Sequence, residues 1–458
     1  MVIKDVSVRR LSIQGSRRVR DPVTLVQCQS LGVLHDRASK FQEKLNVFEK
    51  FFFQKLELTL YQRMKHSLKF ITISTFFIAT LISPNQTSSI KCFDHPNSLN
   101  FHQRIPVNCN FSTRSLKTKR KSSNDKFQIN FTCGIDDKKL CDKVQKSFES
   151  AGQIIDATIS LRNPITVDAS FYDFCKTDNQ CSNDNKIVAG GANPARTIAL
   201  MDEEGVERHY PQALVKQLPF ERHPDFGPFD ILAKFNSEAD YWFEGDESQI
   251  KPNQADFQLV VLHELIHGLG FYSSWNDFFD FVNPQGLTPI PSVEGELNEN
   301  SGMIFNGFIE NIFDKYLIFL SSGEYASNIT TIINTIVNEK GKFYETPKDF
   351  IIKFKSSPQY LQSQMMLKTA TIPFSLGFLP KNANDSSEAI VLETTLNPFQ
   401  TGSSLGHFDY KTYMNTSDFL MTYKQDSGLT LGDYMSIGGN YTGGPIGPKL
   451  RQVLKTMG

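Results

Sequence analysis

The sequence has no excess of charge of either sign and no internal repeats. Its 458 residues carry a formal net charge of -1, so overall charge gives no reason to expect nucleic acid or an anionic membrane as a partner. A hydrophobic content of 40% and an aromatic content of 12% are typical of a globular protein. A chain of this length can bury one or two sizeable cores without depending on disulfides.

Cysteine is absent beyond Cys181, and no two cysteines form a CxxC pair. The C-terminal part therefore has no disulfides of its own, and a zinc ribbon or a thioredoxin-type motif is disfavoured. Cys133 with Cys141 and Cys175 with Cys181 are close enough to close small loops, but the sequence does not decide the pairing. The seven cysteines are Cys28, Cys92, Cys109, Cys133, Cys141, Cys175 and Cys181.

One apolar run near the N-terminus is short for a membrane span. Phe70–Ile82 falls below the roughly 20 residues that a spanning helix needs. It follows the basic segment Met64–Lys69 and precedes the small, polar residues Ser83–Ser89. This three-part layout predicts a secretory signal peptide at 64–89, with a membrane anchor as the alternative. After removal of the signal we expect a secreted, extracellular protein without stable membrane insertion.

A signal peptide normally begins its chain, so we expect translation to begin at Met64 and residues 1–63 to be a spurious extension. Removing them removes Cys28 and leaves an even number of cysteines, which suits an oxidising compartment. The basic stretch Arg9–Arg20 supports the alternative, a cytosolic or targeting arm. N-x-S/T sites, which permit N-glycosylation of a secreted protein, occur at Asn85, Asn110, Asn130, Asn328, Asn384, Asn415 and Asn440.

The middle of the chain predicts an α+β protein. Residues 90–126 are polar and basic, which indicates a linker or propeptide with a candidate processing site at Lys119–Lys121, or simply a solvated charge run. Apolar residues at helical spacing follow in Cys141–Ser160, and Pro164–Phe171 and Phe229–Phe235 alternate like strands. Residues 276–400 look like an inserted subdomain with amphipathic pieces at 304–319 and 327–337.

The segment HELIH, from His263 to His267, carries the chemistry. Asn253–Gly268 is the clearest helix, and two histidines four residues apart on a helix share one face, so both can bind one zinc ion. Glu264 lies where its carboxylate can reach a zinc-bound water and act as general base. The alternative is a surface pair of histidines, but the apolar stretch Phe257–Leu262 predicts a buried helix whose polar side chains need partners.

The residues after this motif resemble the metzincin superfamily. Gly270, three residues past His267, matches the glycine of HExxHxxGxxH, where it ends the helix sharply; the last position of that motif is Ser273 here. Leishmanolysin-like metzincins insert a subdomain before the third histidine, and this chain is similar to them, with His407 in Gly402–Asp409. Asp418–Tyr423 looks like their Met-turn, the hydrophobic floor under the zinc.

This resemblance implies a metzincin-like catalytic domain with a mixed sheet, an active-site helix and a large insertion before the third zinc ligand. Its upper subdomain would be residues 127–275, and its lower subdomain 401–458, with the third histidine, the Met-turn and a C-terminal helix at Pro448–Met457. Met421 would be the Met-turn methionine. Tyr423 would donate to the transition-state oxyanion, with a packed structural tyrosine as the alternative.

By the same resemblance, Asp230–Asn236 is the edge strand that pairs with an extended substrate, or else an ordinary strand of the sheet. Cys92 and Cys109 are candidates to block the zinc in a proenzyme, but the even number of cysteines favours disulfides for both.

The third zinc ligand has two rivals to His407. Glu299 lies in Gly295–Ser301, which resembles the glutamate element of thermolysin-like gluzincins, and Asp409 is a further candidate. The sequence thus predicts a secreted zinc endopeptidase that acts on proteins or peptides. The alternatives are an inactive binding or adhesion protein on the same scaffold and a gluzincin-type peptidase that uses Glu299.

Overall fold

The computed structural model describes residues 90–100, 103–111, 126–178, 181, 188–220, 222–294, 302–337 and 341–458. These residues belong to a single unit. The expected extension 1–63, the signal peptide at 64–89, the segment Lys119–Lys121 and the rival ligand Glu299 lie outside the described residues. Among the helices that the structure does describe, none combines the length and apolarity needed to cross a bilayer.

The described chain mixes many short strands with helices of varied length, as expected for an α+β protein. The strands are β1 Ile90–Asp94, β2 Ile105–Cys109, β3 Phe127–Cys133, β4 Ile165–Tyr172, β5 Gly190–Pro194, β6 Arg196–Met201, β7 Glu207–Pro211, β8 Ile231–Asn236, β9 Tyr241–Trp242, β10 Ala255–Asp256, β11 Ile290–Glu294, β12 Met303–Ile309, β13 Leu317–Phe319, β14 Lys342–Tyr344, β15 Leu376–Phe378 and β16 Ile390–Val391. The α-helices are α1 Lys138–Thr158, α2 Phe174–Asp178, α3 Gln212–Val215, α4 Phe257–Gly268, α5 Ser327–Asn334, α6 Pro347–Lys355, α7 Tyr360–Thr369, α8 Tyr410–Tyr413, α9 Leu431–Ile437 and α10 Pro448–Met457.

The sheet that supports the site has the strand order β3-β4-β8-β5. The pairs β3–β4 and β4–β8 are parallel, and β5 runs antiparallel to β8. Every second residue of β4 is buried, because alternate side chains point to opposite faces of a sheet. The predicted strands near Pro164 and Phe229 are thus confirmed as β4 and β8. However, β8 lies inside the sheet, so the expectation that it is the edge strand is wrong; the edge strands are β3 and, next to β8, β5.

Helices α1 and α4 pack together against this sheet. Asp137 caps α1 by accepting a hydrogen bond from the backbone N–H of Leu140, as short polar side chains do at helix N-termini. The buried stripe of α1 contains Phe148, whose ring meets the ring of Phe257 of α4 edge-to-face at 6.1 Å. The predicted helix near 141–160 is thereby confirmed, and its apolar face packs against helix α4.

The N-terminal part of the expected linker is instead folded. Strands β1 and β2 form an antiparallel hairpin, and β1 also pairs with β6 in a sheet of order β2-β1-β6-β7. The disulfide Cys92–Cys109 joins the two strands of this hairpin. The sequence did not reveal these strands because β1 pairs with β6, about a hundred positions away, whereas patterning reports only local structure.

Three disulfides are formed within the described residues. Cys133–Cys141 and Cys175–Cys181 close the two small loops that their spacing suggested. The third bond engages both Cys92 and Cys109, so the disulfide alternative holds for these two sulfurs. The asparagines of the described N-x-S/T sites are all exposed, namely Asn110, Asn130, Asn328, Asn384, Asn415 and Asn440.

The inserted segment forms two small sheets, β11-β12-β14 and β13-β15-β16, together with helices α5 to α7. The amphipathic piece at 304–319 is strand β12, a 3-10 turn at Phe313–Tyr316 and strand β13, while the piece at 327–337 contains helix α5. Aromatic rings fill the interior of this segment, and those of Phe305 and Phe350 lie 4.2 Å apart. The insertion therefore has apolar packing of its own.

Candidate metal centre

Helix α4 begins at Phe257 rather than at Asn253, where the sequence placed its start, and Asp256 caps it. The Asp256 carboxylate accepts hydrogen bonds from the backbone N–H groups of Gln258 at 2.8 Å and Leu259 at 3.3 Å. Its other oxygen accepts from the N–H of Leu431 at 2.7 Å, which ties the helix start to the C-terminal part of the chain. Asp256 therefore satisfies N–H groups that would otherwise be buried without partners.

The end of α4 depends on Gly270, which has a φ of +116°. The N–H of Gly270 donates to the carbonyl of His267 at 2.9 Å, and the N–H of Phe271 donates to that of Ile266 at 3.3 Å. This is the Schellman pattern, in which a residue of positive φ ends the helix. The sharp turn predicted from the sequence is present, and it places the carbonyl of Phe271 2.6 Å from Nδ1 of His267.

The structure brings His263, His267 and His407 together. Their Nε2 atoms lie 3.1 Å apart for His263 and His267, 3.1 Å for His267 and His407, and 3.2 Å for His263 and His407. His263 and His407 are buried, at 1% and 5% exposure. Three nitrogens bound tetrahedrally to one zinc ion at the usual bond length are roughly 3.3 Å apart. The spacing of this triad therefore suits zinc.

Each histidine of the triad also directs its Nδ1 at a backbone carbonyl. The carbonyl belongs to Leu420 for His263 at 2.6 Å, to Phe271 for His267 at 2.6 Å, and to Ser403 for His407 at 3.0 Å. A carbonyl only accepts hydrogen bonds, so the proton of each neutral ring sits on Nδ1. All three Nε2 lone pairs then converge on one point, an arrangement that a bound cation stabilises.

The charge state of the triad agrees with this assignment. Burial, followed by the neighbouring His267, lowers the pKa of His263 to about 4. Burial and the other two histidines hold the pKa of His407 well below its usual range. Burial also lowers the pKa of His267, against the opposing effect of Glu264. The rings are therefore neutral at physiological pH, as metal ligands must be.

Glu264 lies next to the triad and is buried, with 4% exposure. Its Oε2 accepts a hydrogen bond of 3.1 Å from the backbone N–H of Ala192, in the edge strand β5. Burial raises the pKa of Glu264, but opposing contributions from His263, His267 and this hydrogen bond leave the pKa below its usual value. A carboxylate thus sits beside the three histidines in the charged form that a general base requires.

Met421 and Tyr423 belong to the segment that contacts the triad through the Leu420 carbonyl. Phe419–Met421 forms a 3-10 turn, and the Met421 side chain is fully buried. The same turn supplies the Leu420 carbonyl that meets His263. Tyr423 is half-buried and lines the cleft that contains His263, Glu264, His267 and His407.

Asp409 is not part of the cluster. Its carboxylate caps helix α8 by accepting from the backbone N–H of Thr412 at 2.8 Å. Within the described residues, the grouping of potential metal ligands at this place consists of the three histidines alone. Asp409 therefore serves as a helix cap, and His407 is the candidate third ligand that lies beside His263 and His267.

Ser273, at the position where the compact metzincin motif has its last histidine, has a different partner. Its hydroxyl donates to Oδ1 of Asp314 at 2.6 Å, and the backbone N–H of Ser274 donates to Oδ2 at 2.8 Å. Asp314 belongs to the inserted segment and is fully buried. The insertion thus anchors the loop that follows helix α4.

Sequence reasoning missed several groups that hold the site in place. Gln425 donates through Nε2 to the Leu420 carbonyl at 3.2 Å, beside Nδ1 of His263. The fully buried Glu393 accepts from the N–H groups of Thr395 at 2.7 Å and Tyr410 at 3.1 Å. No local signal marks these residues, because their partners are brought close only by the tertiary fold.

A family model described as SPBPB7E8-like matches residues 84–458. The chain belongs to the SPBPB7E8-like family. A relative from Schizosaccharomyces pombe, named "Uncharacterized protein PB7E8.01", is 28% identical over 366 residues, which cover 74% of this chain and 63% of the relative. The chain thus spans less than two thirds of that relative's length. No solved structure matched the chain. Residues 84–458, which the family model matches, include the histidine triad and Glu264.

Proposed function

We propose that this SPBPB7E8-like protein is a secreted zinc-dependent endopeptidase of metzincin type. The observation that carries the proposal is the convergence of three Nε2 atoms, each on a ring whose Nδ1 is held by a carbonyl, beside the buried carboxylate of Glu264. His263, His267 and His407 would hold the zinc. When bound, zinc supplies Lewis-acid polarisation of a carbonyl and makes water acidic enough to attack near neutral pH.

Glu264 would move the proton in this reaction. Its carboxylate accepts a proton from the attacking water as the new C–O bond forms at the peptide carbonyl. It then delivers that proton to the amide nitrogen as the C–N bond breaks, which leaves a carboxylic acid and an amine. The hydrogen bond from Ala192 fixes one oxygen of Glu264 and thereby orients the other.

Tyr423 would assist as a hydrogen-bond donor to the oxyanion. Burial, followed by Glu393 and Asp426, raises the pKa of its hydroxyl. The hydroxyl therefore keeps its proton throughout the physiological pH range and remains able to donate. Tyr423 also lines the cleft with the other site residues, which supports this role over a purely structural one.

Secretion is supported by the three disulfides, because disulfides persist in oxidising compartments. The exposed asparagines of the N-x-S/T sites suit a glycoprotein in the same way. Proteins or peptides are the proposed substrates.

Digestion of casein or gelatin by purified protein tests the activity. We expect cleavage that stops when a chelator strips the metal and returns when zinc is added back. A protein that cleaves nothing in its zinc-loaded state would support the inactive binding or adhesion scaffold instead. Glu264 favours the enzyme, because a purely structural zinc site has no use for a base.

A further inference from the structure

The hairpin β1–β2 is fixed to the sheet that carries β6. Strand β1 pairs with β6 from Cys92↔Ile198 to Asp94↔Arg196, and the Arg196 guanidinium forms an ion pair with Asp94. The Cys92–Cys109 disulfide joins the two strands of the hairpin. The loop between β1 and β2 is thus held at both ends.

This loop turns at Asn97, whose side-chain oxygen accepts from the backbone N–H of Leu99 at 3.0 Å. The Asn193 side chain of the edge strand β5 donates to the carbonyl of Asn97 at 3.1 Å. A Cβ atom at Gly191 would lie 3.1 Å from Cδ2 of Leu99 and 3.2 Å from the carbonyl oxygen of Ser98. The loop therefore packs directly on β5, and the glycine permits this close approach.

The same loop lines the cleft of the metal centre. Ser98, Leu99 and Asn100 share a cavity of about 490 Å³ with the histidine triad, Glu264 and Tyr423. Ala192 of β5, whose N–H holds Glu264, is adjacent to the Gly191 that Leu99 covers. The loop is thus separated from the general base by a single strand.

Two apolar side chains stand at this side of the cleft. Leu99 is half-buried, and Val188 is 38% exposed. Both line the same cavity, and the Val188 carbonyl accepts a hydrogen bond of 3.2 Å from Asn236 of the supporting sheet. Exposed apolar surface in a cleft favours a ligand that covers it with apolar atoms.

We propose that the loop at residues 98–100 is a wall of the substrate cleft and that Leu99, with Val188, determines specificity for an apolar substrate side chain. The inference rests on the proposed endopeptidase function and names a substrate class for the same site. It also assigns the β1–β2 hairpin to the catalytic unit rather than to a propeptide.

Cleavage of a peptide library, varied at each position around the scissile bond, tests this proposal. Leu99→Ala should lower kcat/KM by about tenfold or more for peptides with an apolar residue at one position. Leu99→Met, which keeps a large apolar side chain, should retain a kcat/KM close to that of the wild type. Leu99→Asp should shift the preference at that position towards basic residues. Ile105→Ala is the matched control, because Ile105 is 49% exposed on the same hairpin and does not line the cleft; it should leave the preferences unchanged.

Zinc content and melting temperature identify folded variants. If folded, zinc-loaded Leu99→Ala and Leu99→Asp proteins keep the wild-type preference at every position, the proposal is wrong while the endopeptidase function stands. If the zinc-loaded wild type cleaves no peptide, the proposed function fails and this inference fails with it.

Discussion

Helix α4 and the segment 393–425 supply the histidines of the proposed metal centre through different kinds of structure. The helix places His263 and His267 on one face through its period alone, within a buried apolar stretch. His407 follows His267 by 140 positions and lies in irregular chain. The helical ligands are therefore fixed by local geometry, and the third ligand is fixed only by tertiary contacts.

Backbone hydrogen bonds position His407, whereas helix α4 positions His263 and His267. The His407 carbonyl accepts from the N–H of Glu393 at 2.8 Å, and the N–H of Leu405 donates back to the Glu393 carbonyl at 3.0 Å. The N–H of the next residue, Phe408, donates to the carbonyl of Met421 at 2.8 Å. We therefore expect substitutions distant in sequence to displace His407 more than His263 and His267.

The largest effect should come from the helical side, in Glu264→Gln. The variant keeps the size of the side chain but cannot accept the proton, so we expect kcat/KM to fall by about 10²–10⁴-fold. Zinc content, measured by atomic emission, should stay at the wild-type level. Glu247→Gln is the control, because Glu247 is exposed. Near-normal turnover by Glu264→Gln would show that Glu264 is not the general base.

Asp314 tests the contact between the insertion and the loop after α4. Burial, followed by Glu310, raises its pKa from 3.8 to about 7. A carboxyl with a raised pKa in the folded protein stabilises the fold fully below the unfolded pKa, and this stability is lost as the pH rises through the folded pKa. The free energy of unfolding should therefore fall by at most about 4 kcal/mol between pH 4 and pH 7 because of Asp314.

Asp314→Asn cannot ionise, so its unfolding free energy should lack this decline. Urea unfolding of both proteins at pH 4, 5.5 and 7 gives the comparison. A difference between wild type and variant that stays constant with pH would show that Asp314 does not titrate in this range.

Gly270→Ala should weaken the end of helix α4 and thus the helical side itself. A Cβ at Gly270 would lie 2.7 Å from Cγ of Pro211, and the φ of +116° is unfavourable for alanine. We expect a loss of about 2–4 kcal/mol in thermal or urea unfolding. Gly245→Ala is the matched control, since Gly245 has a φ of +89° with open space around it; it should cost about 1 kcal/mol. Equal losses would refute the close contact as the cause.

Glu393→Gln should have the smallest of these effects and act on the loop ligand. The two carboxylate oxygens each accept from one backbone N–H. The amide of glutamine replaces one of these oxygens by a donor and leaves one N–H without its acceptor, which should cost about 1–3 kcal/mol. Zinc affinity, measured by competition with a chromophoric chelator, should fall by about tenfold. The exposed Glu388 provides the control as Glu388→Gln. An unchanged affinity would show that the loop needs no support from Glu393.

Sequence reasoning succeeded where the determinants are local. The period of α1, the alternation in β4 and the HELIH spacing are set by neighbouring residues. They predicted these elements and the shared face of His263 and His267. The strand order, which puts β8 inside the sheet, and the pairing of β1 with β6 depend on distant contacts. The hydrogen bonds of Glu393 and Gln425 could not be predicted for the same reason. His407 was reached only through a resemblance to known proteases.

Zinc content after exhaustive dialysis shows directly which residues hold the metal. The wild type and Glu299→Ala should each retain about one zinc ion per chain, because three imidazole ligands form the site. His407→Ala should lose tight binding, since two ligands and an open cleft hold zinc poorly. If His407→Ala keeps its zinc and Glu299→Ala loses it, the histidine triad is not the metal site and the assignment of Met421 to a Met-turn falls with it.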